Sequence, residues 1–295
     1  MSWLQLSLTT RDRQAARVEL LFENLGALSV TLLDAEDDPL LEPAPGETPL
    51  WRRTRITALF EGEADITALR SALRHHLDAA TFATLSQERV EDQAWERAWM
   101  DAFQPMHYGH HLWVCPAGRR PDDPHAIIVE LDPGLAFGSG THPTTALCLE
   151  WLAAHDLEGR TLIDYGCGSG ILGIAALRLG VDRVIAVDHD PQALEATEAN
   201  ARKNAVYDRL QVVTPEAIPQ VQSDLLVANI LAGILEALEP TLAAHVRPQG
   251  TVLLSGILTE QAAGVVEAYR PHFSVQPPIE KDGWVRIEGT RNSST

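Results

Sequence analysis

Lysine is almost missing from this chain: of 23 basic residues in 295, only Lys203 and Lys281 are lysines, a usage that has no functional account. Positive charge is scarce altogether. Forty-one acidic residues leave a formal net charge of −18 at pH 7, and a surface this negative repels a phosphate backbone, because nucleic-acid binding draws its affinity from Lys and Arg neutralising phosphates. The balance argues against direct nucleic-acid binding and for a cationic or neutral substrate. Cysteine is also rare. Cys115, Cys148 and Cys167 are odd in number and form no CxxC, which excludes a disulfide framework and a cysteine zinc site and suits a reducing cytosol. No stretch approaches the ~18 uninterrupted apolar residues of a membrane span. Met1 to Thr10 has no basic region ahead of an apolar core, so a cytoplasmic, untargeted protein is expected.

What is present is ordinary globular composition, 45% hydrophobic and 22% charged, at a length that suggests about two domains of roughly 150 residues. Residues 3–8 alternate as a half-buried strand. Ala15, Val18, Leu21, Phe22 and Leu25 then recur at helical spacing until Gly26. Strand-like runs follow at 27–33 and 54–60, separated by the proline-rich loop Asp37 to Pro49, and a helix at about 65–77 precedes a strand at about 82–90. The order β-α-β-β-α-β over residues 1–90 predicts a small ferredoxin-like α+β domain, two helices on a four-stranded antiparallel sheet. That fold alone specifies no function. Residues 91–106 read as a connecting helix and linker, with Trp95 and Trp99 one turn apart and Gln104-Pro105 ending it.

From residue 107 to 295 the pattern changes to alternating strands and helices. Strand runs at 161–164, 183–188, 210–214, 224–229 and 251–257 are separated by helical stretches at 171–179, 191–203, 231–246 and 259–270. This alternation predicts a Rossmann-like α/β domain, a parallel sheet covered on both faces. Runs at 273–277 and 284–289, flanking Lys281-Asp282-Gly283, are expected to add an antiparallel edge.

The strongest chemical signal is Thr161-Leu-Ile-Asp164-Tyr-Gly166-Cys-Gly168-Ser-Gly170-Ile-Leu-Gly173, a strand breaking into glycines that open a helix. Glycines allow a tight turn and close approach, and the new helix offers unpaired N–H groups, so a nucleotide-like ligand is expected at the carboxyl end of this strand. Residues 168–173 also match the GxGxxG dinucleotide pattern, with Asp188 at the position that grips a ribose. Asp164 distinguishes the two ligands: a carboxylate beside the loop opposes a pyrophosphate but suits the ammonium and sulfonium of S-adenosylmethionine. A dinucleotide-dependent oxidoreductase stays open as the alternative.

Asp188 is expected to hold ribose hydroxyls, because Asp190 and Pro191 already supply the N-cap and first turn of the next helix. Asn229 ends an apolar strand, over the same cleft. Thr144 and Thr145 follow a glycine-rich segment and read equally as helix caps or as contacts to the cofactor's methionine end. His142 reads as a base or as an ordinary loop contact. His107, His110 and His111 lack a carboxylate pair or cysteine at ligand spacing, so no metal is expected.

These segments together, Trp95-Glu-Arg-Ala-Trp99, Leu131-Asp-Pro-Gly-Leu-Ala-Phe137-Gly-Ser-Gly-Thr-His-Pro-Thr-Thr145, Asp164-Tyr-Gly-Cys-Gly-Ser-Gly170 and Val227-Ala-Asn-Ile-Leu231, resemble the ribosomal protein L11 methyltransferase family over nearly the whole chain. The glycine motif is common to many methyltransferases; residues 131–145 combined with the small leading domain are far more specific. The resemblance implies a class I methyltransferase sheet and transfer of methyl groups from S-adenosylmethionine to lysine side chains and the amino-terminal amine of ribosomal protein L11. It places Thr145, Gly166, Asp188 and Asn229 at cofactor-binding positions, to which the reading above adds Asp164 and Gly168. It implies that the leading domain recognises the substrate. Asn229 is followed by Ile230-Leu231-Ala232 instead of the Asn-Pro-Pro-Tyr of enzymes acting on planar amides or bases, so an aliphatic amine positioned by Asn229 fits better. A methyltransferase of RNA or of a small amine is the remaining alternative.

Overall fold

The computed structural model describes residues 2–36, 51–91, 104–131 and 141–293. The expected connecting helix with its two tryptophans, the Asp37 to Pro49 loop and the Phe137 to Gly140 glycines lie outside these residues. The chain divides into two compact units, Met1–Trp95 and Glu96–Thr295.

In the first unit, β1 (Ser2–Arg11), α1 (Asp12–Asn24), β2 (Ser29–Asp34), β3 (Arg53–Glu61), α2 (Ile66–His76), α3 (Ala79–Ala83) and β4 (Ser86–Glu91) follow in order. The sheet runs β2-β3-β1-β4, antiparallel throughout. Its period-2 pattern puts Leu4, Leu6 and Leu8 of β1 beside Ile56, Ala58 and Phe60 of β3, on the face that Ala15, Val18 and Phe22 of α1 and Leu69 and Leu73 of α2 cover. The strand expected from residue 82 begins only at Ser86. Asp78 accepts hydrogen bonds from Thr81 N (2.9 Å) and Thr81 Oγ1 (2.9 Å), and this cap turns residues 79–83 into the short helix α3.

The second unit opens with a three-stranded sheet, β5 (Met106–Tyr108), β6 (Leu112–Cys115) and β7 (Ile127–Glu130). Then come α4 (Pro143–Ala154), β8 (Thr161–Tyr165), α5 (Ile171–Arg178), β9 (Arg183–Val187), α6 (Pro191–Lys203), β10 (Leu210–Val213), β11 (Ser223–Asn229), α7 (Ala232–Ala244), β12 (Val246–Leu258), α8 (Ala262–Tyr269), β13 (Phe273–Val275), β14 (Ile279–Lys281) and β15 (Trp284–Arg291). The main sheet has the order β10-β9-β8-β11-β12-β15-β13, with β14 also paired to β15. Strands β8 to β12 pair in parallel, and both faces are covered, which is why they read as continuous apolar runs. Leu162, Leu225 and Val227 join the core under α4 and α5, and Ile163, Leu226 and Ala228 join that under α7 and α8.

The antiparallel addition differs from a simple edge. β15 lies inside the sheet, between β12 and β13, and β13 and β14 are outermost on that side. Asp282 and Gly283 take φ +51° and +79°, the left-handed pair that a two-residue hairpin between Lys281 and Trp284 requires. Trp151 Nε1 donates to Glu288 (2.7 Å) and Lys281 to Glu150 (2.6 Å), tying α4 to β14 and β15. No helix among the described residues is long and apolar enough to cross a membrane.

Candidate functional site

The chain leaves β8 towards β9 and β10, then returns to the other side of β8 with β11. This reversal opens a crevice at the carboxyl ends of β8 and β11, where open α/β sheets bind ligands. Asp164, Gly166 and Gly168 sit at or just beyond the end of β8, Asn229 ends β11, and Asp188 follows the end of the neighbouring β9.

Gly166, Gly168 and Gly170 have φ of +75°, +55° and +77°, so the loop needs three left-handed residues in five, a path that side chains oppose. Backbone bonds hold the turn: Gly166 N and Cys167 N donate to Val187 O (2.8 and 3.0 Å), and Gly170 N donates to Cys167 O (2.7 Å). A Cβ on Gly166 would run into the Ile230 side chain, and one on Gly170 would lie 2.8 Å from Thr197 Cγ2. Helix α5 starts at Gly170 with no side-chain cap.

Asp188 is anchored by both oxygens. Oδ2 accepts from Gly168 N (2.9 Å) and Oδ1 from Asp190 N (3.0 Å), with His189 Nδ1 3.4 Å from Oδ1, so the carboxylate is fixed against the loop while Oδ2 keeps a lone pair for a hydroxyl. Asp190 caps α6 through Gln192 N (2.9 Å), with Pro191 in the first turn. The cap and the ribose candidate are thus separate residues, as the sequence implied.

Asp164 points inward, with 1% of its surface exposed. Its Oδ2 accepts from Gly173 N at 2.8 Å, clamping β8 to the first turn of α5, and a Cβ on Gly173 would sit 3.1 Å from that oxygen. Burial pushes the carboxyl up to about 7; the Gly173 N–H opposes this and the charge of Asp188 adds to it. In this arrangement Asp164 lies beneath the loop and offers the cleft no open hydrogen-bonding surface.

Asn229 Nδ2 donates to Thr145 Oγ1 at 3.3 Å, joining β11 to the first turn of α4. Among the described residues nothing donates to Asn229 Oδ1, which leaves an acceptor at the cleft. The question of the α4 cap resolves against both threonines. His142 is the N-cap, its Nδ1 accepting from Thr144 N (3.4 Å) and lying 2.8 Å from Thr144 Oγ1. Its ring packs edge-on against Trp284, centroids 4.8 Å apart, and burial lowers its pKa. His107 lies far along the chain in β5, with Nε2 3.1 Å from His110 O.

Sequence reasoning passed over Gly256. It lies where the β12 register shifts, at φ +85°, and a Cβ there would collide with the backbone of Ile230. With Ile230 N donating to Ser255 O (3.1 Å), this wedges the loop after Asn229 between β12 and Gly166. A glycine in a strand signals a bulge or a close approach, the one available clue.

The donor set is therefore two carboxylates flanking a glycine turn, an amide acceptor and a hydroxyl. The Asp188 carboxylate, joined by Asp164 where that group is ionised, fits a cationic nucleoside and opposes a diphosphate.

Comparison with known proteins agrees. The family described as ribosomal protein L11 methyltransferase (PrmA) matches residues 2–292. The ribosomal protein L11 methyltransferase of Actinobacillus pleuropneumoniae serotype 5b is 51% identical over 293 residues, covering 99% of this chain and 100% of that protein. The protein of the same name from Methylococcus capsulatus is 51% identical over 292 residues, with the same coverage. The crystal structure of a ribosomal protein L11 methylase from Lactobacillus delbrueckii subsp. bulgaricus is 33% identical, with TM-score 0.60, and covers 65% of this chain and 100% of that one. A family match over residues 2–292, with relatives about half identical over nearly the full length, means that the chain belongs to the ribosomal protein L11 methyltransferase family.

Proposed function

We propose that this protein transfers methyl groups from S-adenosylmethionine to amines of ribosomal protein L11, both lysine side chains and the amino-terminal amine. The observation that carries the reading is the convergence of an anchored Asp188, the left-handed glycine turn and the Asn229–Thr145 pair on one crevice. Residues 107–295 act as the catalytic domain and 91–106 as the linker. Residues 1–90 form a ferredoxin-like domain that recognises the substrate. The sheet face away from the helices is lined by Gln5, Ser7, Thr9, Arg55, Thr57 and Glu88, hydrogen-bonding and charged groups that suit a protein substrate.

When bound, the cofactor supplies an electrophilic methyl group on a sulfonium, whose charge disfavours an ammonium beside it. The residues handle the rest. Asp188 accepts the ribose hydroxyls, the glycine turn gives the backbone close access, and Asp164 supplies negative charge under the cationic end. Thr145 orients the Asn229 amide so that Oδ1 accepts an amine N–H and directs the nitrogen lone pair along the cleft. The cost of freeing that lone pair at pH 7 is about 4.6 kcal/mol for a lysine of pKa ≈ 10.4 and about 1.1 kcal/mol for an amino-terminal amine near 7.8. Desolvation in the crevice lowers both. No dedicated base is required.

Mass spectrometry of purified ribosomal protein L11 incubated with the enzyme and S-adenosylmethionine tests this reading. Mass increments of one methyl, localised to amines, are expected. Unmodified L11 in the presence of a bound donor would reject the substrate assignment.

A further inference from the structure

Two side chains on one face of α6 bond to the glycine turn from behind, and the residue that caps its carboxyl end bonds to β7. Thr197 is fully buried (0% exposed), and its Oγ1 donates to Gly168 O at 3.0 Å. Asn200 Nδ2 donates to Ser169 O at 2.9 Å. Asn204, 6% exposed, uses its whole amide: Oδ1 accepts from Glu130 N (2.7 Å), and Nδ2 donates to Glu130 O (2.8 Å) and Asn200 O (2.8 Å).

Positions 197 and 200 lie on one helix face, and both bonds fall on the glycine turn. A trans peptide holds its C=O and N–H on opposite sides, so fixing the carbonyls of Gly168 and Ser169 on α6 sets where the amides of the turn point. At the carboxyl end of α6, Asn204 pairs with Glu130 as a neighbouring strand would, on the side of β7 away from β6. At the other end, the N-cap Asp190 bonds through its N–H to Asp188. The helix and its two caps therefore bond the Asp188 carboxylate, the glycine turn and the end of β7.

We propose that Thr197 and Asn200 are positioning residues for methyl transfer: their bonds to the carbonyls of Gly168 and Ser169 set the donor-binding turn. This rests on the reading of the glycine turn as the methyl-donor site.

The test uses the full chain, with S-adenosylmethionine and S-adenosylhomocysteine as calorimetric probes. Thr197→Val keeps the side-chain shape and deletes the hydroxyl. The donor Kd is expected to rise about fivefold, the loss of one neutral hydrogen bond, and Thr197→Ser is expected to restore it. Asn200→Ala, at a half-exposed position, shifts Kd in the same direction and serves if Thr197→Val does not fold. Asn204→Ala, which loosens the carboxyl end of α6 from β7 but leaves both turn bonds in place, is expected to lower thermal stability with donor Kd within about twofold. Loss of thermal stability in all variants without this difference in Kd would overturn the proposal, as would Thr197→Val and Asn200→Ala variants that bind the donor like wild type. Wild-type protein that binds neither probe would instead reject the donor-site reading beneath it.

Discussion

Asp164 is a carboxyl that the fold holds against its own chemistry, and Asp164→Asn measures the cost. Raising the group from its ordinary 3.8 to about 7 corresponds to a difference of about 4 kcal/mol between its charged and neutral forms. Below pH 3.8 both folded and unfolded chains are protonated here and the effect vanishes. Between 3.8 and 7 the folded state keeps a proton that the unfolded chain has released, so stability falls as pH rises through that window and levels off above it. Asp164→Asn, which retains an acceptor for Gly173 N, is therefore expected to unfold at higher denaturant concentration than wild type at pH 8, by up to about 4 kcal/mol, and to match it near pH 4. Donor binding should move the opposite way. If the cationic donor needs the carboxylate ionised, its Kd scales as one plus ten to the power of pKa minus pH, and it weakens about tenfold from pH 8 to pH 6. Calorimetric titrations of wild type and Asp164→Asn at both pH values separate this from the donor's own ionisation, which the two proteins share. Equal pH slopes in the two proteins would refute the reasoning.

Asp188→Ala should raise the donor Kd by about tenfold or more by calorimetry, while α6 stays capped by Asp190. Asn229→Ala is expected to cut turnover by about two orders of magnitude with donor affinity changed far less; near-normal turnover on L11 would exclude its role in placing the amine. Gly256→Ala forces a side chain into a left-handed residue facing the Ile230 backbone, and should destabilise by more than about 2 kcal/mol in denaturant melts. Gly118→Ala, at φ +75° with open space around it, should lose only about 1 kcal/mol, separating backbone strain from collision.

Local rules made much of this architecture readable. The alternation that buries Leu4, Leu6 and Leu8, the stripe Ala15-Val18-Phe22 and the Asp190-Pro191 start of α6 each depend on neighbours a few residues away. The glycine turn was legible for the same reason. What escaped depends on partners distant in the chain. The place of β15 between β12 and β13 is a matter of strand order, to which residue periodicity is blind. The inward turn of Asp164 depends on Gly173 being close enough to donate. Gly256 matters because of Ile230, and Asn204 because of Glu130, 74 residues earlier. His142 displaced the threonines as the cap because its ring nitrogen reaches Thr144 N, a geometry that residue preferences rank low.

The interior position of β15 bears on biosynthesis. A nascent polypeptide translated only to residue 283 already contains Asp164, Asp188 and Asn229, yet its largest layer ends at β12, whose apolar Leu253 and Leu254 then border an unsatisfied rim of amides and carbonyls. Such a rim is adhesive. Protection from clumping would thus arrive only with the closing strand, and a stop codon just before Trp284 should yield insoluble protein instead of a weakened enzyme.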